Sequence, residues 1–147
     1  MTPTQHSVTI IMIEDDEGHA LLIEKNIRRA GISNEIIHFT DGHSALDFIF
    51  NSDRGPVRNG PALILLDLNL PDMSGIDILS QIKSDEHARR TPVVVLTTTD
   101  DKQEIERCYD LGCNVYITKP VNYENFAAAI RQLGLFLSVI QVPDAGA

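Results

Sequence analysis

The 147-residue chain has little cysteine, little positive charge and no long hydrophobic run. Its two cysteines, Cys108 and Cys113, stand five apart and match no metal or redox spacing. They read as small buried apolar residues in a reducing compartment. The histidines (His6, His19, His38, His43 and His87) are scattered and form no H-x-x-x-H pair, so no zinc site is expected. Twelve Lys and Arg against twenty-one Asp and Glu give a net charge of −9. That charge repels phosphate backbones and anionic membranes, so neither nucleic acid nor a membrane surface is an expected partner. The apolar runs Val8–Ile13 (interrupted by Thr9) and Ala62–Leu66 are far too short to span a bilayer. The opening residues Met1–Ser7 lack the pattern of a signal peptide, and a cytoplasmic protein is expected. Neither G-x-x-x-x-G-K-[ST] nor G-x-G-x-x-G occurs, which removes the usual nucleotide-binding loops.

What is present is a core. Apolar residues make up 43% of the chain, too many for a disordered one, and the length suits one domain without a metal or disulfide staple. Short apolar runs alternate five times with amphipathic segments. Strands are predicted at Val8–Ile13, Glu35–Phe39, Ala62–Leu66, Pro92–Leu96 and Val115–Ile117. Helical spacing is predicted over Glu17–Ala30, Asp41–Asn51, Gly75–Ser84, a segment from Asp100 and Asp101 to Leu111, and Tyr123–Ile140 with Asn122 as its cap. Ser52–Pro61, with two Gly and two Pro, reads as a long loop. The unalternating Ala62–Leu66 run suits a parallel sheet covered on both faces. The pattern is (βα)5, an α/β doubly wound parallel sheet of strand order 2-1-3-4-5, with residues 1–7 and 141–147 expected to lie outside the folded domain at 8–140.

The residues at the strand ends carry the chemistry. Strand 1 runs into Glu14, Asp15 and Asp16, strand 3 into Asp67, strand 4 into Thr97 and strand 5 into Lys119. In this strand order all of them share one edge, so three or four carboxylates face one another. Crowded carboxylates raise each other's pKa or recruit a cation. Oxygen ligands without His or Cys favour a hard divalent ion, Mg²⁺ before Ca²⁺, and such a site expects phosphate as a further partner. Lys119 offers a point charge and Thr97 a hydroxyl to phosphoryl oxygens. Asp67 then reads as a carboxylate nucleophile toward phosphorus. Singly, each residue has an ordinary explanation as a turn, cap or strand residue. It is their joint occurrence on one edge that points to phosphoryl chemistry.

With these residues in hand, the sequence resembles the receiver domains of two-component response regulators. The resemblance runs through Ile13-Glu14-Asp15-Asp16, Leu66-Asp67-Leu68-Asn69-Leu70-Pro71-Asp72-Met73-Ser74-Gly75, Val95-Leu96-Thr97-Thr98 and Tyr116-Ile117-Thr118-Lys119-Pro120. It implies that Asp67 is the phosphoacceptor and that Glu14 and Asp15 form the acidic pair, with Asp15 a direct Mg²⁺ ligand. It also implies that Asn69 offers its backbone carbonyl to the metal, while Thr97, Thr98 and Lys119 serve the phosphoryl group. Tyr116 is then the aromatic that reorients with Thr97, and a cis bond before Pro120 aims Lys119 inward. Where the family often has Asp first, this chain has Glu14. The implied output is a changed protein-interaction surface on the helix after strand 4, strand 5 and the last helix, since only seven residues follow Ile140 and no output domain is expected.

Three further features resemble receivers paired with phytochrome-type histidine kinases. They are the insert Arg54–Pro61, the run Leu96-Thr97-Thr98-Thr99-Asp100, and the apolar tail Phe136-Leu137-Ser138-Val139-Ile140-Gln141-Val142-Pro143. That group often carries Trp in the tail, and this chain has none. The implied donor is a sensor histidine kinase of bacteriophytochrome type. Leu135, Phe136 and Val139 add apolar area beyond what the sheet needs and are expected to form a homodimer surface. Two alternatives are a receiver from a chemotaxis-type or other phosphorelay and a haloacid-dehalogenase-like Mg²⁺ phosphatase. The latter places a general acid two residues after its nucleophile, where this chain has Asn69.

Overall fold

The computed structural model describes residues 8–98, 100–119 and 122–132. In chain order it contains β1 (Thr9–Ile13), α1 (Glu17–Arg29), β2 (Ile36–Phe39), α2 (Gly42–Asn51), α3 (Pro56–Asn59), β3 (Ala62–Asp67), α4 (Gly75–Ser84), a 3-10 turn (Ala88–Arg90), β4 (Val93–Thr97), α5 (Lys102–Leu111), β5 (Val115–Thr118) and α6 (Tyr123–Gln132). The five strands form one sheet of order β2-β1-β3-β4-β5, and every neighbouring pair is parallel. The predicted architecture is observed.

Strand alternation divides the core into two layers. Ile10, Met12, Leu63, Leu65, Val94, Leu96, Val115 and Ile117 pack on one face with Ala20, Ile23 and Ile27 of α1 and Phe126 of α6. Ile11, Ile13, Ile64, Leu66, Val93 and Val95 pack on the other with Ala45 and Ile49 of α2, Ile78, Leu79 and Ile82 of α4, and Cys108 of α5. Both cysteines are free and buried, as their composition suggested. Burial of all six β3 residues accounts for that strand's lack of polar alternation. Arg29 lies over the Tyr123 ring at 4.1 Å, tying α1 to α6.

Several boundaries differ from the sequence reading. The Ser52–Pro61 segment contains α3, a single turn with Pro56 at its start and Gly55 as its N-cap. Gly55 is required by close approach, because a Cβ there would sit 2.1 Å from the Phe48 carbonyl oxygen. β2 begins at Ile36 rather than Glu35, whose side chain instead meets Arg54 at 2.8 Å. β3 and β4 each run one residue further than their apolar runs, since Asp67 pairs with Leu96 and Thr97 with Thr118 in the ladder. The two polar residues are thus held by strand geometry rather than by loops. Asp41 and Asp101 stand outside their helices as N-caps, each accepting a backbone N–H from the first turn. Asn122 caps α6 as expected, accepting from the Asn125 backbone at 2.7 Å. The expected continuation of the last helix to Ile140 lies outside the described residues, as do Leu135, Phe136, Val139 and Pro120.

Candidate functional site

The carboxyl ends of β1, β3, β4 and β5 converge on one pocket. The chain turns abruptly after β3, where Gly75 at the start of α4 passes so close to the strand that a Cβ would lie 2.4 Å from the Asp67 carbonyl oxygen and 2.6 Å from Leu68 Cα. Gly75 N–H donates to the Leu68 carbonyl at 2.9 Å, and Asn69 bridges to Ser74. This tight loop keeps Asp67 and Asn69 at the sheet edge.

Glu14, Asp15 and Asp67 can each place a carboxylate oxygen within 4.8 Å of the others. Glu14 is 1% exposed and Asp67 is also buried, while Asp15 opens to solvent. The sequence pattern admitted a fourth carboxylate, Asp16; the structure removes it. Asp16 is the N-cap of α1, and its Oδ1 accepts from the His19 backbone at 2.9 Å. That bond, ahead of any charge effect, holds the Asp16 carboxyl below its ordinary pKa.

Lys119 enters from the end of β5. Its backbone N–H donates to the Thr97 carbonyl at 2.7 Å, which fixes where the side chain starts. Its ammonium, on a side chain 5% exposed, donates to Glu14 Oε1 at 2.5 Å and to Asp67 Oδ2 at 3.4 Å. Asp67 Oδ1 accepts from the Asn69 backbone at 3.2 Å. Thr97 is fully buried, and its Oγ1 lies 3.5 Å from Asn69 Nδ2. Burial raises the pKa of Glu14 above its ordinary value; the Lys119 hydrogen bond opposes this and the Asp67 charge adds to it. Thr98 follows on the exposed side of the same edge. Tyr116 lies partly buried against the core layer that holds Cys108 and Cys113, and burial, followed by the Glu104 carboxylate, pushes its phenol pKa up.

The structure therefore gathers Glu14, Asp15, Asp67, Asn69, Thr97 and Lys119 at one edge, with Tyr116 on the neighbouring strand. Two histidines join them that the scattered spacing did not flag. His19 Nδ1 stands 3.1 Å from the Lys119 ammonium, and His38 Nε2 lies 2.7 Å from the Glu14 carbonyl oxygen. His19 occupies the first turn of the helix that follows the acidic triplet, and that proximity was the available signal. Asp72 was also missed as a structural residue. From the β3–α4 loop its two oxygens accept the Gly42 and His43 backbone N–H groups at 2.8 Å each, capping α2 across 30 residues, and the His43 ring meets the same carboxylate.

Comparison with known proteins decides the family. Residues 10–131 match the model for the response regulator receiver domain. The chain belongs to that family. The receiver-domain family is one of phosphoacceptor regulatory domains, not typical turnover enzymes. This receiver is 67% identical to the response regulator receiver domain from Rhodospirillum rubrum, over 95% of this chain and 100% of that one, with a TM-score of 0.74. It is 36% identical to the bacteriophytochrome response regulator RtBRR, over 95% of this chain and 86% of that one, with a TM-score of 0.77. It is 33% identical to the response regulator Rcp1 of Synechocystis over 139 residues, covering 92% of this chain and 93% of Rcp1. Rcp1 has a Mn²⁺-bound crystal structure, which superposes with a TM-score of 0.72 over 93% of this chain and 99% of that one. Among the described residues, no helix of this receiver is long and apolar enough to cross a membrane.

Proposed function

We propose that this receiver accepts a phosphoryl group on Asp67 from the phosphohistidine of a sensor kinase, in the presence of Mg²⁺, and signals through an altered protein-binding surface. The observation that carries this reading is the meeting of Glu14, Asp15 and Asp67 within 4.8 Å, with Lys119 bonded to two of them. Three carboxyl groups gathered around one ammonium make an acidic pocket that a divalent cation balances. The donor set fits Mg²⁺: it is all oxygen, of mixed burial, and open to water on the Asp15 side. Glu14, Asp15, Asp67 and the Asn69 carbonyl would hold it. When bound, it supplies charge neutralisation to the phosphoryl oxygens.

An Asp67 carboxylate oxygen forms the new P–O bond as the donor's N–P bond breaks. The N–P electron pair returns to the imidazole, which takes up a proton. Lys119 and Thr97 receive phosphoryl oxygens, the first as a charge and the second as a hydroxyl donor, and Thr98 lines the exposed side. No general base is needed, because the nucleophile is already a carboxylate. The product adds up to about two negative charges in place of one. Lys119 shifts toward them, and its backbone bond to Thr97 couples that shift to the end of β4. Tyr116, paired beside Val95 in the ladder, follows on the α5–β5–α6 side.

Likeness to the bacteriophytochrome response regulator RtBRR supports a phytochrome-type histidine kinase as the donor. The apolar tail residues Leu135, Phe136 and Val139 support a homodimer. The test is intact mass after incubation with Mg²⁺ and a small acyl phosphate. One labile phosphoryl group is expected on the wild type, none in chelator and none on Asp67→Asn. Unchanged labelling of Asp67→Asn would overturn the assignment.

A further inference from the structure

The Lys119 ammonium has three hydrogens and three acceptors: Glu14 Oε1 at 2.5 Å, His19 Nδ1 at 3.1 Å and Asp67 Oδ2 at 3.4 Å. The first and third belong to residues that would also ligate the divalent cation. His19 is the one acceptor of the three outside that ligand set. Its ring is 46% exposed at the pocket mouth, and its backbone N–H is held by the Asp16 cap, so the imidazole is presented from a fixed first turn of α1.

We infer that His19 is a positioning residue for Lys119, the acceptor that keeps the ammonium at the rim of the pocket when Glu14 and Asp67 are committed to the cation. The inference rests on the acceptor-site reading given above and extends it. A cation and the Lys119 ammonium compete for the same two carboxylates, because both are positive and both need those oxygens. A pocket that offered the lysine only Glu14 and Asp67 would bind the ammonium and the metal in strict opposition. An alternative partner on the solvent side lowers the cost of releasing the carboxylates, while Lys119 stays close enough to meet an incoming phosphoryl oxygen. Nδ1 serves as acceptor only when the ring proton is on Nε2, and Nδ1 is the nitrogen turned to Lys119.

The test is calorimetric titration of Mg²⁺ alone into the full chain. His19→Leu removes the acceptor and keeps the apolar bulk; His19→Asn keeps an acceptor oxygen near the position of Nδ1. Mg²⁺ binding is expected to weaken about fivefold in His19→Leu, the scale of one partly exposed hydrogen bond to a charged group, and to recover in His19→Asn. In a Lys119→Ala background, His19→Leu is expected to change Mg²⁺ affinity no further, because the effect passes through the lysine. Equal affinity of wild type and His19→Leu overturns the inference, as does an undiminished effect of His19→Leu without Lys119. Failure of the wild type to bind Mg²⁺ overturns the acceptor-site reading itself, which separates the two claims. Chelator-treated melting curves of the His19 variants are expected to match wild type, and a lowered melting temperature of both would assign His19 a packing role instead.

Discussion

Removing the ammonium from the acidic pocket is the most informative perturbation of its electrostatics. In Lys119→Met the apolar stem is conserved and the charge is lost. Glu14 and Asp67, at 1% and 6% side-chain exposure, then face each other with no protein cation between them. Breaking a buried pair from one side costs about 3–5 kcal/mol, because the surviving charge stays desolvated. The lower end applies here, about 3 kcal/mol, since Asp15 opens the pocket to water and Glu14 can relieve the strain by taking up a proton. Glu14 already has a raised pKa with Lys119 present, and losing the lysine removes two of the effects that hold it down. A carboxyl whose folded pKa is raised contributes its stability below the unfolded pKa and loses it as pH rises through the folded value. The deficit of Lys119→Met is therefore expected to be full at neutral pH and to shrink on acidification as Glu14 becomes neutral. Mg²⁺ replaces the missing charge and stabilises the variant more than it stabilises wild type. Urea denaturation with chelator and with excess Mg²⁺, at neutral and mildly acidic pH, reads all three effects. A variant as stable as wild type in chelator at neutral pH would refute the claim that the ammonium balances these carboxylates.

Gly75→Ala is expected to lose about 1–3 kcal/mol by denaturant titration, since its Cβ must displace the end of β3, and to slow phosphorylation by shifting Asp67. Asp72→Ala is expected to lower the melting temperature by uncapping α2. The two backbone N–H bonds hold the Asp72 carboxyl well below the usual carboxylate range, so the difference from wild type should persist through that range and vanish only at lower pH. Phe136→Asp is expected to sediment as a monomer, and an unchanged dimer would retire the tail as an interface.

The sheet was legible because its strands are short apolar runs, the central ones buried on both faces, set between segments of helical spacing. The site was legible for a related reason: polar residues that end apolar strands have nowhere to go but the carboxyl edge. Asp16 was over-read because a third consecutive acid can cap a helix or line a pocket, and only backbone direction decides between them. α3 was under-read because Gly55 and Pro56 punctuate a loop and start a single turn equally well. His19, Asp72 and the Lys119 network act across 100, 30 and 105 residues of chain, and no local pattern encodes such pairings. Side-chain chemistry marked Thr97 and Lys119 for phosphoryl oxygens, and the family resemblance supplied a role for Tyr116. The structure supplies the distances that make the first two coherent.

The most direct measurement is the chemical location of the phosphoryl group. Borohydride reduces an acyl phosphate on aspartate to homoserine, and peptide mass mapping then reports the position. After incubation with Mg²⁺ and an acyl phosphate donor, homoserine is expected at position 67 alone, and nowhere when chelator is present. Homoserine at position 15, or at a carboxylate outside the pocket, would contradict the assignment of Asp67 as the acceptor.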